Sequence, residues 1–230
     1  MLILAFDTAQ GALSAAIRDD DGELASVFEL RTRGHAEALM PALETLLAEA
    51  ALGFGDLDAL AVTVGPGTFT GLRVGLAAAR GLALALALPL VGVTTLEAIA
   101  EPVDVAAGTI VSSFDAKRHE VYLQAFSAAH MPLTGPLLAD LDEVAAHLPP
   151  GPLVLVGTGS LLLMDLLKER GHEIRLADTR PQPDAAAVAR IAMARLSAEG
   201  VAAFRVPPQP LYIRAPDAKL PGGLDPGAVA

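Results

Sequence analysis

GPGTFTGLRVG, residues 65–75, joins a strand-like run to a long helix of small residues. The run before it, LAVTV at 60–64, is short, apolar and β-branched, which predicts a buried strand. After the glycines, Thr70 can cap a helix that begins near Gly71. Such a turn places free backbone N–H groups at a helix N-terminus, where an anion such as phosphate can bind. The string fits neither a Walker loop nor the dinucleotide motif G-x-G-x-x-G.

The predicted helix carries glycines on one face. Gly71 and Gly75 are four residues apart, and Ala78, Ala79 and Leu82 continue the same side. Each glycine in a helix interior costs about 0.8 to 1 kcal/mol relative to alanine, so close packing must compensate. The packing partner is either another part of this chain or a second subunit, and the pattern leaves both open.

The composition describes a chain that can bury a sizeable core. It has 230 residues, of which 53% are hydrophobic, a length that suits one large or two small domains. A net charge of −11 disfavours sequence-independent binding to nucleic acid, so we expect another subunit to hold any RNA. The absence of cysteine excludes disulfides, thiolate nucleophiles and thiolate metal sites, and it fits a reducing cytoplasm.

The start of the chain, MLILAFDTAQ, predicts a strand rather than a secretion signal. It has no basic segment and reaches Asp7 after six residues. The most apolar segment, 81–93, contains Pro89 and is too short to cross about 30 Å of hydrocarbon as a helix. We therefore expect no membrane span and a cytoplasmic location.

Hydrophobic patterning divides the chain into two similar halves. The first half has predicted strands at 2–7, 13–19, 24–30, 60–64 and 90–93, helices at 35–51 and 71–88, and a further helix that begins with residues 95–100. The second half has strands at 109–114 and 119–126, a short helix within 140–148, the strand and glycine turn LVLVGTGS at 153–160, and a last helix at 184–199. FDTAQGALSAAI and FDAKRHEVYLQAF each place an aspartate directly after a phenylalanine. The sequence therefore predicts an α/β fold with an internal duplication and a shortened second half.

Two such halves facing each other across a cleft form the duplicated actin-like, sugar kinase and heat-shock ATPase architecture, a ribonuclease H-like fold. We predict a first lobe at 1–102, a shortened second lobe at 103–206 and a Pro/Gly-rich tail, extended or partly disordered, at 207–230. In that architecture hairpin aspartates and glycine turns surround a nucleotide, which makes Asp7, Gly65, Gly67 and Asp115 candidate cleft residues. A hairpin aspartate is equally a turn residue that accepts local N–H groups, and both interpretations stay open.

Five segments resemble the bacterial TsaB family of tRNA threonylcarbamoyladenosine biosynthesis proteins, also called YeaZ. They are ILAFDTA, HAEALMPAL, GPGTFTGLRVGLAAARGLA, DAKRHEVY and PLYIRAPDAK, spread over residues 2–219. The resemblance implies a non-catalytic scaffold that dimerises with the homologous subunit TsaD, which transfers a threonylcarbamoyl group to adenosine 37 of tRNAs reading codons that begin with A. It also implies that the ATPase TsaE joins this pair.

The resemblance assigns a partner interface to the helix after the glycine turn. Its residues would be Thr70, Gly71, Leu72, Arg73, Gly75, Ala78, Ala79 and Leu82. The same helix would serve in a homodimer, and tRNA would be contacted only through the complex. The resemblance implies no cofactor of the chain's own, and it places ATP or ADP with Mg at the complex interface.

The residues themselves indicate no active site. The catalytic relative carries two metal-ligating histidines four apart on a helix, whereas His35 is followed at that spacing by Leu39. The other histidines show no ligand spacing, and no metal site is predicted. The second interpretation is a small ATP-dependent kinase or transferase of the same fold, with Asp7 or Asp115 and magnesium, and phosphates at the two glycine turns. A third, a peptidase acting on the partner, lacks a nucleophile.

Arg73 falls in the first turn of the predicted helix. The helix dipole disfavours a cation at that end, so the placement suggests an acceptor outside the helix. A partner carboxylate, a nucleotide phosphate and one of the chain's own acids all suit the planar guanidinium.

Overall fold

The computed structural model describes residues 1–214 as two five-stranded sheets with helices packed around them. The first half consists of β1 (Ile3–Asp7), β2 (Ala12–Arg18), β3 (Glu23–Leu30), α1 (His35–Glu49), β4 (Ala59–Gly65), α2 (Phe69–Leu86), β5 (Leu90–Thr94) and α3 (Thr95–Ala100). The second consists of β6 (Thr109–Lys117), β7 (Glu120–Ser127), β8 (Leu137–Asp140), β9 (Leu153–Val156), α4 (Ser160–Glu169), β10 (Ile174–Leu176) and α5 (Ala185–Glu199).

The two sheets have the same topology. Their strand orders are β3-β2-β1-β4-β5 and β8-β7-β6-β9-β10. In each, the first three strands form an antiparallel meander and the last two run parallel to the first strand. Where the first half has α1, the second has only a single 3₁₀ turn at Val144–His147. The predicted duplication with a shortened second half is confirmed.

The last helix of each half packs across the lobe boundary. In β1, Leu4 and Phe6 face α1 and α2, whereas Ile3 and Ala5 face α5, because side chains alternate along a strand. Conversely, α3 contributes to the core of the second sheet through its buried residues Leu96, Ile99 and Ala100. Residues 185–199, placed by the sequence in the 103–206 lobe, therefore pack on the first sheet.

The described part of the predicted tail is ordered and packed. We call residues 207–214 the strap. The Leu211 N–H donates to the Val64 carbonyl oxygen at 2.7 Å, and Arg80 Nη2 donates to the Pro208 carbonyl oxygen at 2.6 Å. The strap therefore has fixed partners in the first lobe, and for these residues the expectation of partial disorder is wrong. The rest of the predicted tail, 215–230, lies outside the described residues.

Helix α2 is long and apolar enough to cross a membrane by length and composition, with a mean hydropathy of 1.3. Its buried residues Leu72, Leu76, Ala79 and Ala83 pack on the protein's own core. Only 33% of the helix is buried, so packing accounts for the apolar residues on that side, while others such as Leu84 are exposed.

Candidate functional site

The glycine turn caps α2 two residues earlier than predicted. Helix α2 begins at Phe69, and Thr68 is its N-cap, with extended backbone angles of φ −66° and ψ 138°. Thr68 Oγ1 accepts the Gly71 N–H at 3.2 Å, the usual bond from an N-cap side chain to the N3 amide. The prediction that Thr70 caps the helix is wrong, because Thr70 already lies in its first turn and is exposed.

The glycines of α2 face the interior of the chain. A Cβ at residue 71 would lie 2.1 Å from the Thr8 carbonyl oxygen, and one at Gly75 would lie 2.7 Å from Thr8 Oγ1. The Thr8 hydroxyl in turn donates to the Gly71 carbonyl at 2.8 Å. The β1–β2 hairpin therefore occupies the space that these glycines provide. The prediction that Gly71 and Gly75 meet a second subunit is wrong, and Leu72 and Ala79 are buried with them.

A different side of α2 is uncovered. We call Thr70, Arg73, Ala77, Gly81 and Leu84 the outer face of α2, and all five residues are exposed. Nothing lies within 4 Å of a Cβ built at residue 81, and the Leu84 side chain is 85% exposed. The predicted interface residues Ala78 and Leu82 are half-buried and flank this face.

Arg73 lies on this outer face and stacks on an aromatic ring. Its guanidinium carbon is 3.6 Å from the centroid of the Phe69 ring, a cation–π contact. Within residues 1–214 no carboxylate pairs with Arg73. Its planar N–H donors are therefore available to an acceptor outside these residues.

Asp7 is completely buried at the end of β1. Its Oδ1 accepts the Thr63 hydroxyl and the Ala9 N–H, the latter at 3.1 Å, while its Oδ2 has no hydrogen-bond partner among the described residues. Burial raises the pKa of Asp7 from its ordinary 3.8 to about 7. The native state thus keeps a proton that the unfolded chain releases above about pH 4, so this carboxyl destabilises the fold progressively as the pH rises towards 7.

Asp115, the duplicate of Asp7, is paired at the surface of the cleft. The Lys117 side chain donates to Asp115 Oδ2 at 2.5 Å, and the Lys117 N–H donates to Oδ1 at 2.7 Å. The hydrogen bond from the Lys117 side chain lowers the pKa of Asp115. Both aspartates accept the N–H two residues further on, as turn-forming aspartates do. β6 continues to Lys117, three residues beyond the predicted end of this strand at 114, and the turn that follows lies over the positive-φ residues 117–119.

A cavity of about 520 Å³ opens between the two lobes. It is bounded by residues 66–69 of the glycine turn, residues 114–117 at the end of β6, Tyr122 of β7 and residues 211–214 of the strap. Two pairs of aromatic rings line it, Phe69 with Tyr212 at 5.8 Å and Phe114 with Tyr122 at 4.8 Å between centroids.

Of the four predicted cleft residues, the structure brings two together in this cavity. Gly67 and Asp115 line it, whereas Asp7 and Gly65 do not. The strap forms one wall of the cavity, and this wall was not predicted from the sequence. The only signal for it was the segment PLYIRAPDAK, whose pattern predicts neither a strand nor a helix.

The cleft residues do not fit a magnesium-bound phosphate. Asp115, the one carboxylate among residues 1–214 that lines the cavity, is already paired with Lys117. A Cβ at Gly67 would meet the Ala9 carbonyl oxygen at 2.6 Å, and one at Gly157 of the second glycine turn would meet the Ser113 carbonyl oxygen at 2.0 Å. Both glycine turns are therefore packed tightly against their own hairpins.

The histidines occupy separate surface positions. His35 Nε2 lies 3.2 Å from the Ala12 carbonyl oxygen, a hydrogen bond that joins α1 to β2. His119 Nε2 lies 3.9 Å from Asp140 and 3.6 Å from Asp142, and all three side chains are exposed. Sequence spacing could not reveal this group because His119 lies in the β6–β7 turn, whereas Asp140 and Asp142 lie at and just after the end of β8.

The chain is similar to known proteins over nearly its whole length. It is 34% identical over 237 aligned positions to the tRNA threonylcarbamoyladenosine biosynthesis protein TsaB of Escherichia coli, an alignment covering 96% of this chain and 99% of that protein. This chain belongs to the TsaB family. The family model described as TsaD, tRNA N6-adenosine threonylcarbamoyltransferase, matches residues 27–156 of this TsaB family member.

Solved structures confirm the fold predicted for this TsaB family member. YeaZ from Pseudomonas aeruginosa superposes with a TM-score of 0.77 at 26% identity, covering 92% of this chain and 99% of that one. The inorganic polyphosphate/ATP-glucomannokinase from Arthrobacter superposes with a TM-score of 0.51 at 12% identity, covering 84% and 99% of the two chains. The latter likeness concerns the fold alone and agrees with the predicted sugar kinase architecture.

Proposed function

We propose that this chain is a non-catalytic scaffold subunit in the formation of N6-threonylcarbamoyladenosine at position 37 of tRNAs that read codons beginning with A. It would dimerise with TsaD and recruit TsaE. The observation that carries the proposal is the alignment, from end to end, with an Escherichia coli protein named for this biosynthesis. The TsaD family model also matches this chain, which supports homology between the two proposed partners. Homologous subunits can pair through equivalent surfaces, as the subunits of a homodimer do.

The outer face of α2 is the proposed docking surface for TsaD. Ala77 and Gly81 leave this side of the helix flat, so a partner helix can approach closely. Leu84 offers an exposed apolar side chain, and Arg73 offers donors to a carboxylate on the partner. Thr70, Ala78 and Leu82 remain interface residues in this proposal, whereas the buried Gly71, Leu72, Gly75 and Ala79 support the helix from within.

The state of the two hairpin aspartates supports a non-catalytic cleft. Asp7 is buried beneath Thr63, and Asp115 is neutralised by Lys117, so neither is free to bind a metal or a substrate proton. In this proposal ATP or ADP with Mg binds at the junction between subunits, and the chain needs no cofactor of its own.

Reconstitution tests the scaffold role. TsaD, TsaE, tRNA and threonylcarbamoyl-adenylate are combined with and without this chain, and modified adenosine is measured by mass spectrometry. We expect modification only when the chain is present. Equal modification without it would refute the proposal.

Substitutions of exposed alanines test the docking surface. Ala77→Arg places a long charged side chain on the outer face of α2, where it should abolish co-elution with TsaD in gel filtration. Ala198→Arg makes the same change at an exposed position of α5 and serves as the matched control. If the Ala77→Arg protein co-elutes with TsaD as well as the control does, α2 is not the docking surface. The same pair of variants tests homodimerisation of the isolated protein.

One observation favours the alternative, an ATP-dependent kinase or transferase. Gly67 and Asp115 line the same cavity, although the glycine turn is packed against Ala9 and Asp115 is paired with Lys117. ATP turnover by the purified chain that falls on Asp115→Asn substitution would support that alternative. The scaffold proposal predicts no turnover above background in either protein.

A further inference from the structure

The strap is anchored firmly to the first lobe. Arg80 of α2 donates to the Pro208 carbonyl oxygen at 2.6 Å and to Gln209 Oε1 at 3.3 Å. The Leu211 N–H donates to the Val64 carbonyl oxygen at the end of β4, at 2.7 Å. The ring of Tyr212 lies 5.8 Å from that of Phe69 at the start of α2. These contacts involve backbone, charged and aromatic groups along the strap.

The end of the strap is anchored to the second lobe. Ile213 packs against the core of the second sheet. Arg214 Nη1 donates to the Ala116 carbonyl oxygen at 2.8 Å, and its Nη2 pairs with the Glu120 carboxylate across the β6–β7 hairpin. The Arg214 side chain is only 24% exposed, so water screens this ion pair less than a pair on the open surface. A single short segment therefore joins both lobes.

Two glycines in the first sheet leave room for the strap. A Cβ at Gly92 would lie 2.7 Å from Pro208 Cβ, and one at Gly65 would lie 2.7 Å from the Leu211 carbonyl oxygen. Gly65 also has a φ of +113°, which side-chain-bearing residues rarely adopt. The strap thus covers the carboxyl end of β4, the edge at which open α/β sheets bind their ligands.

We propose that the strap is a built-in clamp that holds the two lobes at a fixed separation and keeps the cleft cavity in one shape. In this role the chain's own residues 207–214 cover the carboxyl end of β4. They connect the two lobes where a bound ligand would otherwise do so. Two arginines secure the strap, Arg80 of α2 at its start and Arg214 at its end. The clamp is independent of the proposed scaffold function, since it concerns the isolated chain.

Distance measurements between the lobes test the clamp. The chain contains no cysteine, so Ala48→Cys on α1 and Asp165→Cys on α4 give one exposed spin-label site in each lobe. Electron–electron double resonance is recorded on the full chain, with and without the Arg80→Ala and Arg214→Ala substitutions together. Arg33→Ala with Arg175→Ala is the control, because it removes the same charge at exposed positions of the two lobes.

We expect a narrow interlobe distance distribution for the unsubstituted strap and for the control, and a broadened or displaced one for the strap variant. The same distribution in all three proteins would overturn the proposal. Hydrogen exchange on the unaltered chain gives a second test that needs no variant. The Leu211 amide should exchange as slowly as amides within β4, and exchange at the rate of an unstructured peptide would also overturn the clamp.

Discussion

Replacing Gly71 with alanine tests whether the glycines of α2 pack inside the chain. The new Cβ would lie 2.1 Å from the Thr8 carbonyl oxygen and 2.6 Å from Thr68 Oγ1. Both neighbours are held in place, since Thr8 donates to the Gly71 carbonyl and Thr68 caps the helix. The helix and the hairpin must therefore move apart, and overpacking of this kind costs about 1 to 3 kcal/mol of the free energy of unfolding.

Gly81→Ala is the matched control on the same helix. Nothing lies within 4 Å of a Cβ at that position, so the change should add up to about 1 kcal/mol through helix propensity alone. Thermal unfolding followed by circular dichroism should therefore show Gly71→Ala with a Tm about 2 to 12 °C below that of the unaltered protein and Gly81→Ala up to about 2 to 4 °C above it. Equal Tm values for the two variants would refute the inward orientation of Gly71.

Three further predictions concern stability and docking. Urea titrations of Asp7→Asn and of the unaltered protein give the difference between their free energies of unfolding. This difference should shift in favour of Asp7→Asn by about 4 kcal/mol between pH 4 and pH 8, because asparagine has no buried carboxyl proton to lose. A difference that does not depend on pH would contradict this. Arg190→Ala removes the two 2.5 Å hydrogen bonds to Glu101 that tie α5 to the end of α3, and chemical denaturation should show a loss of about 1 kcal/mol. Leu84→Asp should have a Tm within about 2 °C of that of the unaltered protein, because exposed positions tolerate substitution. The same substitution should abolish co-elution with TsaD. Retained co-elution would argue against the outer face of α2.

The sequence predicted the strands well because their signals are local. β-Branched apolar runs between glycine and aspartate turns mark β1 to β7, and α3 begins where predicted, at Thr95. The duplication was visible because both halves keep a Phe-Asp pair at the end of their first strand. Since these features depend on neighbouring residues, no tertiary information was needed to find them.

The orientation of α2 could not be read from its sequence. The helix is apolar or small on nearly every side, so its periodicity does not distinguish the buried side from the exposed one. Glycines suit an internal contact as well as a subunit contact. The deciding partner, Thr8, lies more than 60 residues away and meets Gly71 only in the folded chain.

The strap was missed for a similar reason. Its proline-rich sequence has no periodicity, and its order depends on distant residues such as Arg80, Gly92 and Glu120. A segment ordered by tertiary contacts alone has the same composition as a flexible tail. The cavity that it closes was therefore beyond sequence analysis, although two of its members, Gly67 and Asp115, were identified as cleft residues.

Site-specific crosslinking tests the central claim most directly, namely that this chain docks on TsaD through the outer face of α2. A photoreactive phenylalanine derivative is introduced at Gly81, or at Ala198 of α5 as the control, and each protein is irradiated with TsaD. We expect a crosslinked pair from position 81 and none from position 198. Crosslinking from position 198 alone, or from neither position while the two proteins co-elute, would contradict it.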